Sequence, residues 1–331
     1  MGALPSMQSI PGFDALPWRT RSRVRLLAFL QRAVNRHPRL ARTGMELLPE
    51  AMTQIARRST APLRVRTASA RLDPDSIVVS ARIQPSDAPR VSIVVPTHSA
   101  LSWLRACLSA LAEHAADVPQ EVIVVDDGSP EPEAVARIVS DHPAVTLLRN
   151  PSSLGFAAAV NRGASKARGD VLVVLNDDTL VTPSWLAKLL AVLDSDERIA
   201  WVGPATNDSG DAATTIASYR TYPELLAFAA HAAGAPQDVD KLALFCAAIR
   251  RSHFEAVGGV DEGYGRGLFE DDDLCMKLSR AGHRIVLVPE VFVHHAAGAT
   301  FRQLDPLEYL ARFEVNRRRF ERRWRRRWRA P

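Results

Sequence analysis

Short runs of apolar residues recur in the middle of the chain, and each is rich in β-branched side chains. They are VSIVV (91–95), VIVV (122–125), VTLL (145–148) and VLVVL (171–175). Such runs are typical of strands that are buried on both faces of a sheet. Stretches of helical character lie between them, at 101–115, 133–141 and 156–168. The alternation predicts an α/β fold with a mostly parallel, Rossmann-like sheet and helices on both faces.

The remaining pattern divides the chain into three regions. Residues 1–87 hold a basic helical stretch (19–58) and a Val-, Ile- and Arg-rich segment (63–83), and they end in a proline-containing linker. Residues 88–305 carry the alternation of strands and helices, and residues 306–331 resemble one long Arg-rich helix. We therefore expect an N-terminal extension of unassigned function, an α/β domain and a basic C-terminal helix.

Polar residues follow three of the predicted strands. They are Pro96-Thr97-His98, Asp126-Asp127-Gly128-Ser129 and Asn176-Asp177-Asp178-Thr179. Ligands of open α/β sheets bind beyond the carboxyl ends of the strands, so these segments are expected to form one site. Turn formation and helix capping would explain any one of them. They explain all three less well, because adjacent acids repel each other and turns do not require them.

The Asn176-Asp177-Asp178 segment suggests a divalent cation. Hard oxygen ligands suit Mg²⁺ or Mn²⁺, and these ions commonly bridge carboxylates and substrate phosphates. The sequence has no Walker lysine motif, and no GxGxxG motif follows a predicted strand. The pattern therefore favours a metal-assisted site over a P-loop or dinucleotide site.

A second acidic cluster, Glu270-Asp271-Asp272-Asp273, opens a predicted helix. Acids in a first helical turn are favoured by the helix dipole, by about 0.3–1 kcal/mol each. Four in a row exceed what capping needs, and crowded carboxylates raise one another's pKa, which suits a general base. His294 and His295 lie near the last predicted strand. On an extended chain they point to opposite sides, so at most one is expected to face the site.

Composition and charge add constraints outside the α/β region. The chain has 331 residues, 47% of them hydrophobic, and a net charge of +5. Residues 311–329 carry ten Arg against two Glu, a net +8, which leaves the rest of the chain near −3. Phe313, Phe320, Trp324 and Trp328 fall on one face of this predicted helix. That pattern predicts binding to an anionic membrane surface through residues 312–329, and packing against the protein or a partner explains it equally well. No nucleic-acid-binding fold accompanies the arginines, so no nucleic-acid partner is expected.

The cysteines and the N-terminus indicate the compartment. Cys107, Cys246 and Cys275 are far apart and form no CxxC pair, which argues against a zinc ribbon or a disulfide framework. The N-terminus lacks a signal-peptide pattern, and no run approaches the roughly 18–20 apolar residues that span a bilayer. We expect a cytoplasmic protein, peripheral on the inner face of the membrane if its C-terminal helix binds lipid.

Several of these segments together resemble glycosyltransferase family 2, whose members have the GT-A fold. The resemblance runs over residues 91–301. It is carried by VSIVVPTHSA, VIVVDDGS, NPSSLGFAAAVNRGASKARGD, VLVVLNDDT, FCAAIRRSHFEAVGGVDEGYGRGLFEDDDLC and VFVHHAAGATF. The resemblance implies an inverting transfer of a sugar from a nucleotide-diphosphate donor to the hydroxyl of a glycan or lipid-linked acceptor.

The resemblance also implies roles for individual residues. The nucleotide and donor sugar would contact Pro96, Thr97, Asp126, Asp127, Gly155, Phe156, Ala157, Asn161, Asn176 and Asp177. Asp178 and His295 would bind Mn²⁺ or Mg²⁺, with His294 as the alternative histidine. Asn176 stands where the family's DxD motif has its first acid, which puts that ligand in doubt.

The acidic cluster would supply the chemistry. Asp271 matches the family's catalytic base, with Glu270 beside it, and Phe269 and Asp273 are predicted on the acceptor side. The loops 206–222 and 263–268 would select the substrate. Two other functions stay open: a non-catalytic scaffold that binds nucleotide-sugar or glycan, and a sugar-nucleotide pyrophosphorylase. The latter would need a glycine-rich loop where this chain has Pro96-Thr97-His98.

Overall fold

The structure is a computed structural model that describes residues 10–36, 70, 72–77, 80–114, 117–296 and 305–329. The chain forms two compact units, one of residues 1–66 and 301–330 and the other of residues 67–300. The two terminal segments were predicted as separate additions to the α/β domain. In the structure, parts of both belong to the smaller unit.

An eight-stranded sheet occupies the centre of the described part of the larger unit, in the spatial order β3-β2-β1-β4-β8-β6-β9-β7. The strands are β1 (Val91–Thr97), β2 (Gln120–Asp126), β3 (Val145–Arg149), β4 (Val171–Leu175), β5 (Thr179–Leu180), β6 (Ile199–Ala205), β7 (Gln237–Asp238), β8 (Cys246–Arg250), β9 (Arg284–Phe292) and β10 (His294–His295). Strands β3, β2, β1 and β4 are parallel neighbours, and β8 is antiparallel to β4 and β6. Strands β5 and β10 form a separate antiparallel pair.

Helices cover both faces of this sheet. The described α-helices are α1 (Trp18–Arg36), α2 (Leu101–His114), α3 (Pro132–Ser140), α4 (Phe156–Ala164), α5 (Trp185–Asp194), α6 (Tyr222–Ala229), α7 (Arg251–Ala256), α8 (Glu270–Arg280) and α9 (Pro306–Trp324). Helices α2, α3, α5 and α6 pack in one apolar core, and α4, α7 and α8 in the other. Successive β1 residues alternate between the two cores, because side chains of a strand point to opposite faces. The predicted architecture is confirmed.

Two central strands were missed from the sequence. Strand β6 (IAWVGPA) contains Gly and Pro, and β8 (CAAIR) contains two alanines, so neither has the β-branched run by which the others were recognised. Helix α4 was predicted to extend to residue 168 and ends at Ala164. Of the basic helical stretch predicted over 19–58, the structure shows α1 as far as Arg36, and the rest lies outside the described residues.

The smaller unit pairs α1 with α9. The Asp305 carboxylate accepts a hydrogen bond from the Leu307 amide at 2.9 Å and so caps α9. The same carboxylate pairs with the Arg32 guanidinium at 2.6 Å, and the Arg318 guanidinium donates to the Thr20 hydroxyl at 2.8 Å. These polar contacts fix the register of the two helices.

The aromatic face of α9 lies inside this unit. Phe313, Phe320 and Trp324 are buried, and the Trp328 ring stands edge-on to Phe313 at 5.3 Å. These three aromatic side chains are occupied by packing, so binding of residues 312–329 to a membrane stays a prediction. Of the two interpretations that the sequence left open, the structure supports the packed one. No helix in the described ranges is both long and apolar enough to cross a bilayer.

Candidate active site

The ends of β1, β2 and β4 lie side by side at the carboxyl edge of the sheet. Thr97 pairs with Asp126 across β1 and β2, and the Asp127 amide donates to the Thr97 carbonyl at 2.8 Å. Strand β4, which leads into Asn176, is the other neighbour of β1. The three strand ends converge, as predicted from the sequence. Pro96, the next-to-last residue of β1, is buried.

Asp126 and Asp127 organise the loops of this edge. The Asp126 carboxylate accepts from the Ser129 amide at 2.8 Å and from the Arg149 guanidinium at 3.0 Å. The Asp127 carboxylate accepts four hydrogen bonds. Its donors are the Asn150 side-chain amide (2.6 Å), the Ser153 hydroxyl (2.9 Å), the Leu154 amide (2.9 Å) and the Gly155 amide (2.8 Å). Both oxygens of Asp127 are thus used to shape the segment that leads into α4.

The donor segment predicted at the start of α4 packs on a second loop. Gly155 has φ +102°, and a Cβ there would lie 2.2 Å from the Gly265 carbonyl oxygen, so only glycine fits. Phe156 is half-buried and Ala157 buried at the first turn of the helix. Asn161 exchanges hydrogen bonds with the Val260 backbone at 2.8 and 2.9 Å. These contacts join the predicted donor segment to the loop before α8.

Asn176, Asp178 and His295 form a corner that we call the β4 corner. The His295 Nε2 atom lies 3.2 Å from the Asp178 carboxylate and 3.4 Å from the Asn176 amide nitrogen. Asp177 is buried, and burial and the Asp178 charge raise the pKa of its carboxyl to about 7. Burial lowers the pKa of His295, but the Asp178 carboxylate beside it raises the value above the usual range.

Backbone and side-chain contacts hold the His295 ring in one orientation. Its Nδ1 lies 2.7 Å from the Asp208 carbonyl oxygen, and the ring stacks on Phe245 at 5.0 Å. The Asn207 side chain accepts from the His295 amide at 2.9 Å and donates to its carbonyl at 2.8 Å. A proton on Nδ1 leaves Nε2 with its lone pair directed at the corner, which is the usual arrangement of a metal-binding histidine.

His294 points to the other side of β10, as the alternation predicted. Its Nδ1 lies 2.7 Å from the Tyr219 hydroxyl, and its ring stacks on Trp103 at 5.8 Å. His295, rather than His294, is therefore the histidine beside Asp178.

The β4 corner has the donor chemistry that Mn²⁺ or Mg²⁺ requires. It offers the Asp178 carboxylate, the Asn176 amide and the His295 imidazole, which are oxygen and nitrogen ligands accepted by Mn²⁺. Within the described ranges no three His, Cys, Asp or Glu side chains are grouped to hold a metal ion. A cation at this corner would therefore draw further oxygen ligands from its substrate, as Mg²⁺ commonly does with phosphates.

The second acidic cluster forms the first turn of α8, and we call it the α8 turn (Glu270–Asp273). Leu268 and Phe269, immediately before it, have φ of +75° and +79°. Non-glycine residues seldom adopt positive φ, and such strain is concentrated at functional sites. Phe269 is buried, as are three of the acids, whereas Asp271 is half-buried. Asp271 is thus the acid of the turn that a substrate can reach.

Lys241 lies against the α8 turn and was not singled out from the sequence. Its ammonium pairs with the Asp272 carboxylate at 2.7 Å. Burial lowers the pKa of Lys241, but the charges of Asp271 and Asp272 raise it above its usual range. Burial and the Asp271 charge raise the pKa of Glu270 to about 8, and Lys241 opposes this rise. No motif marks Lys241, because it contacts acids about thirty residues later in the chain.

Asp273 has a packing role that the sequence did not predict. Its carboxylate accepts from the Tyr264 hydroxyl at 3.2 Å and lies 3.7 Å from the Lys277 ammonium. It is completely buried, so it ties the start of α8 to the preceding loop. Its contact with an acceptor stays a prediction.

The segment 241–246 brings the two acidic clusters to the same edge. Cys246, the first residue of β8, pairs with Leu175, the last residue of β4, and the Asn176 amide donates to the Phe245 carbonyl at 2.8 Å. Four residues earlier, Lys241 contacts the α8 turn. The metal-binding candidates and the base candidate therefore share one end of the sheet.

Comparison with known proteins agrees with this arrangement. Residues 92–258 match the family described as Glycosyl transferase family 2. The chain belongs to glycosyltransferase family 2. The family match over half of the chain shows this membership. The order of the acidic motifs along the sheet agrees with it.

Three relatives are similar to this chain. The chain is 31% identical over 210 residues to a pre-mycofactocin glycosyltransferase of Mycobacterium tuberculosis, covering 62% of this chain and 42% of the relative. It is 30% identical over 253 residues to an N-acetylglucosaminyl-diphospho-decaprenol L-rhamnosyltransferase of the same organism, covering 66% and 80%. The chain spans 26% of an uncharacterized protein y4gI of Sinorhizobium fredii, to which it is 28% identical. Some relatives are thus much longer than this family 2 chain.

A solved structure shows the same fold. A mannosyltransferase of Pyrobaculum calidifontis in complex with GDP-Man and Mn²⁺ superposes with a TM-score of 0.54 at 24% identity, covering 76% of this chain and 69% of that one. The likeness confirms the predicted GT-A fold.

Proposed function

We propose that this family 2 chain is a metal-dependent, inverting glycosyltransferase that uses a nucleotide-diphosphate sugar. One observation carries the proposal. Asp178 and His295 lie 3.2 Å apart beyond the end of β4, and the segment 241–246 that borders this end also contacts the α8 turn, which carries Asp271. A site with these two parts can neutralise a diphosphate and accept a proton.

The residues of the chain have distinct parts in the proposed reaction. Asp271 takes the proton from the acceptor hydroxyl while the oxygen attacks the anomeric carbon. The bond from that carbon to the diphosphate breaks on the opposite side, so a single displacement inverts the anomeric centre. A positioned general base of this kind contributes about 10²–10⁴-fold in rate. Burial and the Asp271 charge raise the pKa of Glu270, which favours its neutral form and so limits the negative charge beside Asp271.

Asp178 and His295 would hold Mn²⁺ or Mg²⁺, with Asn176 beside them. When bound, the cation would neutralise the charge that gathers on the departing nucleoside diphosphate. The orientation of His295 by Asp208 and Asn207 supports this assignment, because the ring needs no rearrangement to present Nε2.

The donor nucleotide would lie over Thr97, Asp126 and Asp127. Asp127 already accepts four hydrogen bonds from the protein. A contact with the nucleobase would replace one of these, and the Ser153 hydroxyl is the donor that can turn away most easily. The acceptor would be a glycan or a lipid-linked sugar, as the name of the rhamnosyltransferase relative suggests.

Donor turnover tests the proposal. The protein is incubated with Mn²⁺ and a panel of UDP-, dTDP- and GDP-sugars, and nucleoside diphosphate release is measured with and without EDTA. We expect release from one class of donor that EDTA abolishes and that is absent in Asp271→Asn. Pyrophosphate-dependent exchange would instead identify a pyrophosphorylase, and donor binding without release would identify a non-catalytic binding protein.

A further inference from the structure

Helix α1 has two apolar faces. Val24, Leu27 and Ala28 are buried on one side, where the helix packs along α9. Trp18, Leu26 and Phe29 lie on the other side and are 66%, 43% and 65% exposed. At about 100° per residue these three fall within roughly 80° of one another, opposite the buried face. Among the residues that the structure describes in this unit, packing accounts for only one of the two faces.

The exposed face is a cluster rather than scattered side chains. Single exposed apolar residues are ordinary, but clustered ones mark interaction sites. Two of the three are aromatic, and Trp has the amphipathic ring that is enriched at membrane–water interfaces. The Arg19 guanidinium lies 5.7 Å from the Trp18 ring centroid. The face therefore combines apolar area with adjacent positive charge.

The charge around this face selects an anionic partner. Helix α1 contains six Arg and neither Asp nor Glu. Arg19 and Arg25 are exposed beside the apolar side chains, and the exposed arginines after α9 belong to the same unit. A symmetric contact between two copies of α1 would oppose arginine to arginine, which the Coulomb repulsion disfavours. A surface that complements this face must be negatively charged, and it must not place further Arg or Lys side chains next to those of α1.

We propose that the exposed face of α1 binds the surface of an anionic phospholipid bilayer. Trp18, Leu26 and Phe29 enter the boundary between headgroups and acyl chains, and Arg19 and Arg25 reach back to the phosphates. A bilayer fits better than a nucleic acid, because Leu26 extends the two aromatic rings into an apolar face that lipid can accept and bases cannot stack on. This surface is distinct from the membrane contact expected through residues 312–329, where Phe313, Phe320 and Trp324 are buried.

The proposal stands apart from the proposed function. Lipid binding by α1 requires no catalysis, and a failed transferase assay leaves it unchanged. If both hold, α1 would bring the catalytic unit to the surface where a lipid-linked acceptor lies.

Vesicle flotation of the full chain tests the proposal. Vesicles of phosphatidylcholine alone are compared with vesicles that also contain phosphatidylglycerol, at low and high salt. The test variant is Trp18→Ser with Phe29→Ser. The matched control is Leu154→Ser with Ile216→Ser, which removes two exposed apolar side chains from the larger unit. Circular dichroism melting checks that each variant remains folded.

We expect the wild-type chain and the control to float with the anionic vesicles, more weakly as salt is added. The test variant should lose at least about tenfold in partitioning, because interfacial binding scales with the apolar area inserted. Equal flotation of the test variant and the wild type would overturn the proposal. Failure of the wild type to bind anionic vesicles, together with retention of single-stranded RNA that the test variant loses, would assign the face to nucleic acid instead.

Discussion

The two acidic clusters at the edge of the sheet differ in how their charge is supported. The β4 corner stands on strand ends, and its Asp178 faces the neutral or protonated imidazole of His295 at 3.2 Å. The α8 turn begins a helix after two residues of positive φ, and its Asp272 faces the permanent cation of Lys241 at 2.7 Å. One cluster thus has a titratable partner and the other a fixed one.

This difference separates a place for a metal from a place for a proton. Burial raises the carboxyl pKa in both clusters, to about 7 for Asp177 and about 8 for Glu270. At the β4 corner a divalent cation can replace the positive charge of protonated His295. It would then stabilise the carboxylates of Asp178 and of the neighbouring Asp177. At the α8 turn Lys241 already supplies that charge, and Asp271 is the least buried acid, available to take a proton. Metal removal should therefore act on the first cluster, and loss of the Lys241 charge on the second.

The largest expected effect comes from removing the base. Asp271→Asn keeps the shape of the α8 turn but cannot accept a proton, so turnover should fall by about 10²–10⁴-fold while donor binding persists. Steady-state kinetics and calorimetric titration with the nucleoside diphosphate measure the two quantities. Glu255→Gln, which changes an exposed acid on α7, serves as the control. Unchanged turnover in Asp271→Asn would remove this residue from the role.

The β4 corner should respond to metal instead. Asp178→Asn weakens a direct ligand, so the Mn²⁺ concentration for half-maximal binding should rise by more than about 100-fold, since losing an outer partner alone costs about 10–100-fold. Electron paramagnetic resonance of Mn²⁺ in the presence of nucleoside diphosphate measures this without turnover. His294→Gln is the matched control, because His294 contacts Tyr219 on the other side of β10. An equal loss in both variants would place the metal elsewhere.

A smaller effect is expected from the residue that orients His295. Asn207→Ala removes both hydrogen bonds to the His295 backbone, at 2.9 and 2.8 Å, and should weaken Mn²⁺ binding by about 10–100-fold. The same resonance titration detects it. A role in stability alone would lower the melting temperature and leave the affinity for Mn²⁺ unchanged.

The same comparison shows what the sequence could predict. The four parallel strands and the acids after them were visible, because β-branched runs and strand-end acids are local patterns. Asn207 was not predicted, because it follows β6. That strand contains Gly and Pro and lacks the β-branched run by which the other strands were recognised. Phe320 and Trp324 are buried on α9, which packs with α1, a helix that lies far away in the chain. Periodicity defines an aromatic face but does not say what covers it.

Lys241 gives the finest test, because its effect should appear in pH dependence rather than in overall rate. Lys241→Met removes a cation that interacts with the Asp271 and Asp272 carboxylates, so both carboxyls should become harder to ionise. A base acts in its ionised form. A higher pKa of the base carboxyl therefore shifts the acid limb of the kcat/KM profile to higher pH, by about one unit. Activity is then recovered at alkaline pH.

The groups that face Lys241 are the Asp271 and Asp272 carboxylates, with Cys275 nearby. Because its ammonium contacts the acids of the α8 turn, we expect the Mn²⁺ affinity of Lys241→Met to equal that of the wild type. Lys241→Arg retains the charge and should retain the wild-type profile. A uniform loss of rate at every pH in Lys241→Met would show that Lys241 only packs the turn. A displaced limb with unchanged Mn²⁺ affinity would show that the two clusters are charged by separate partners.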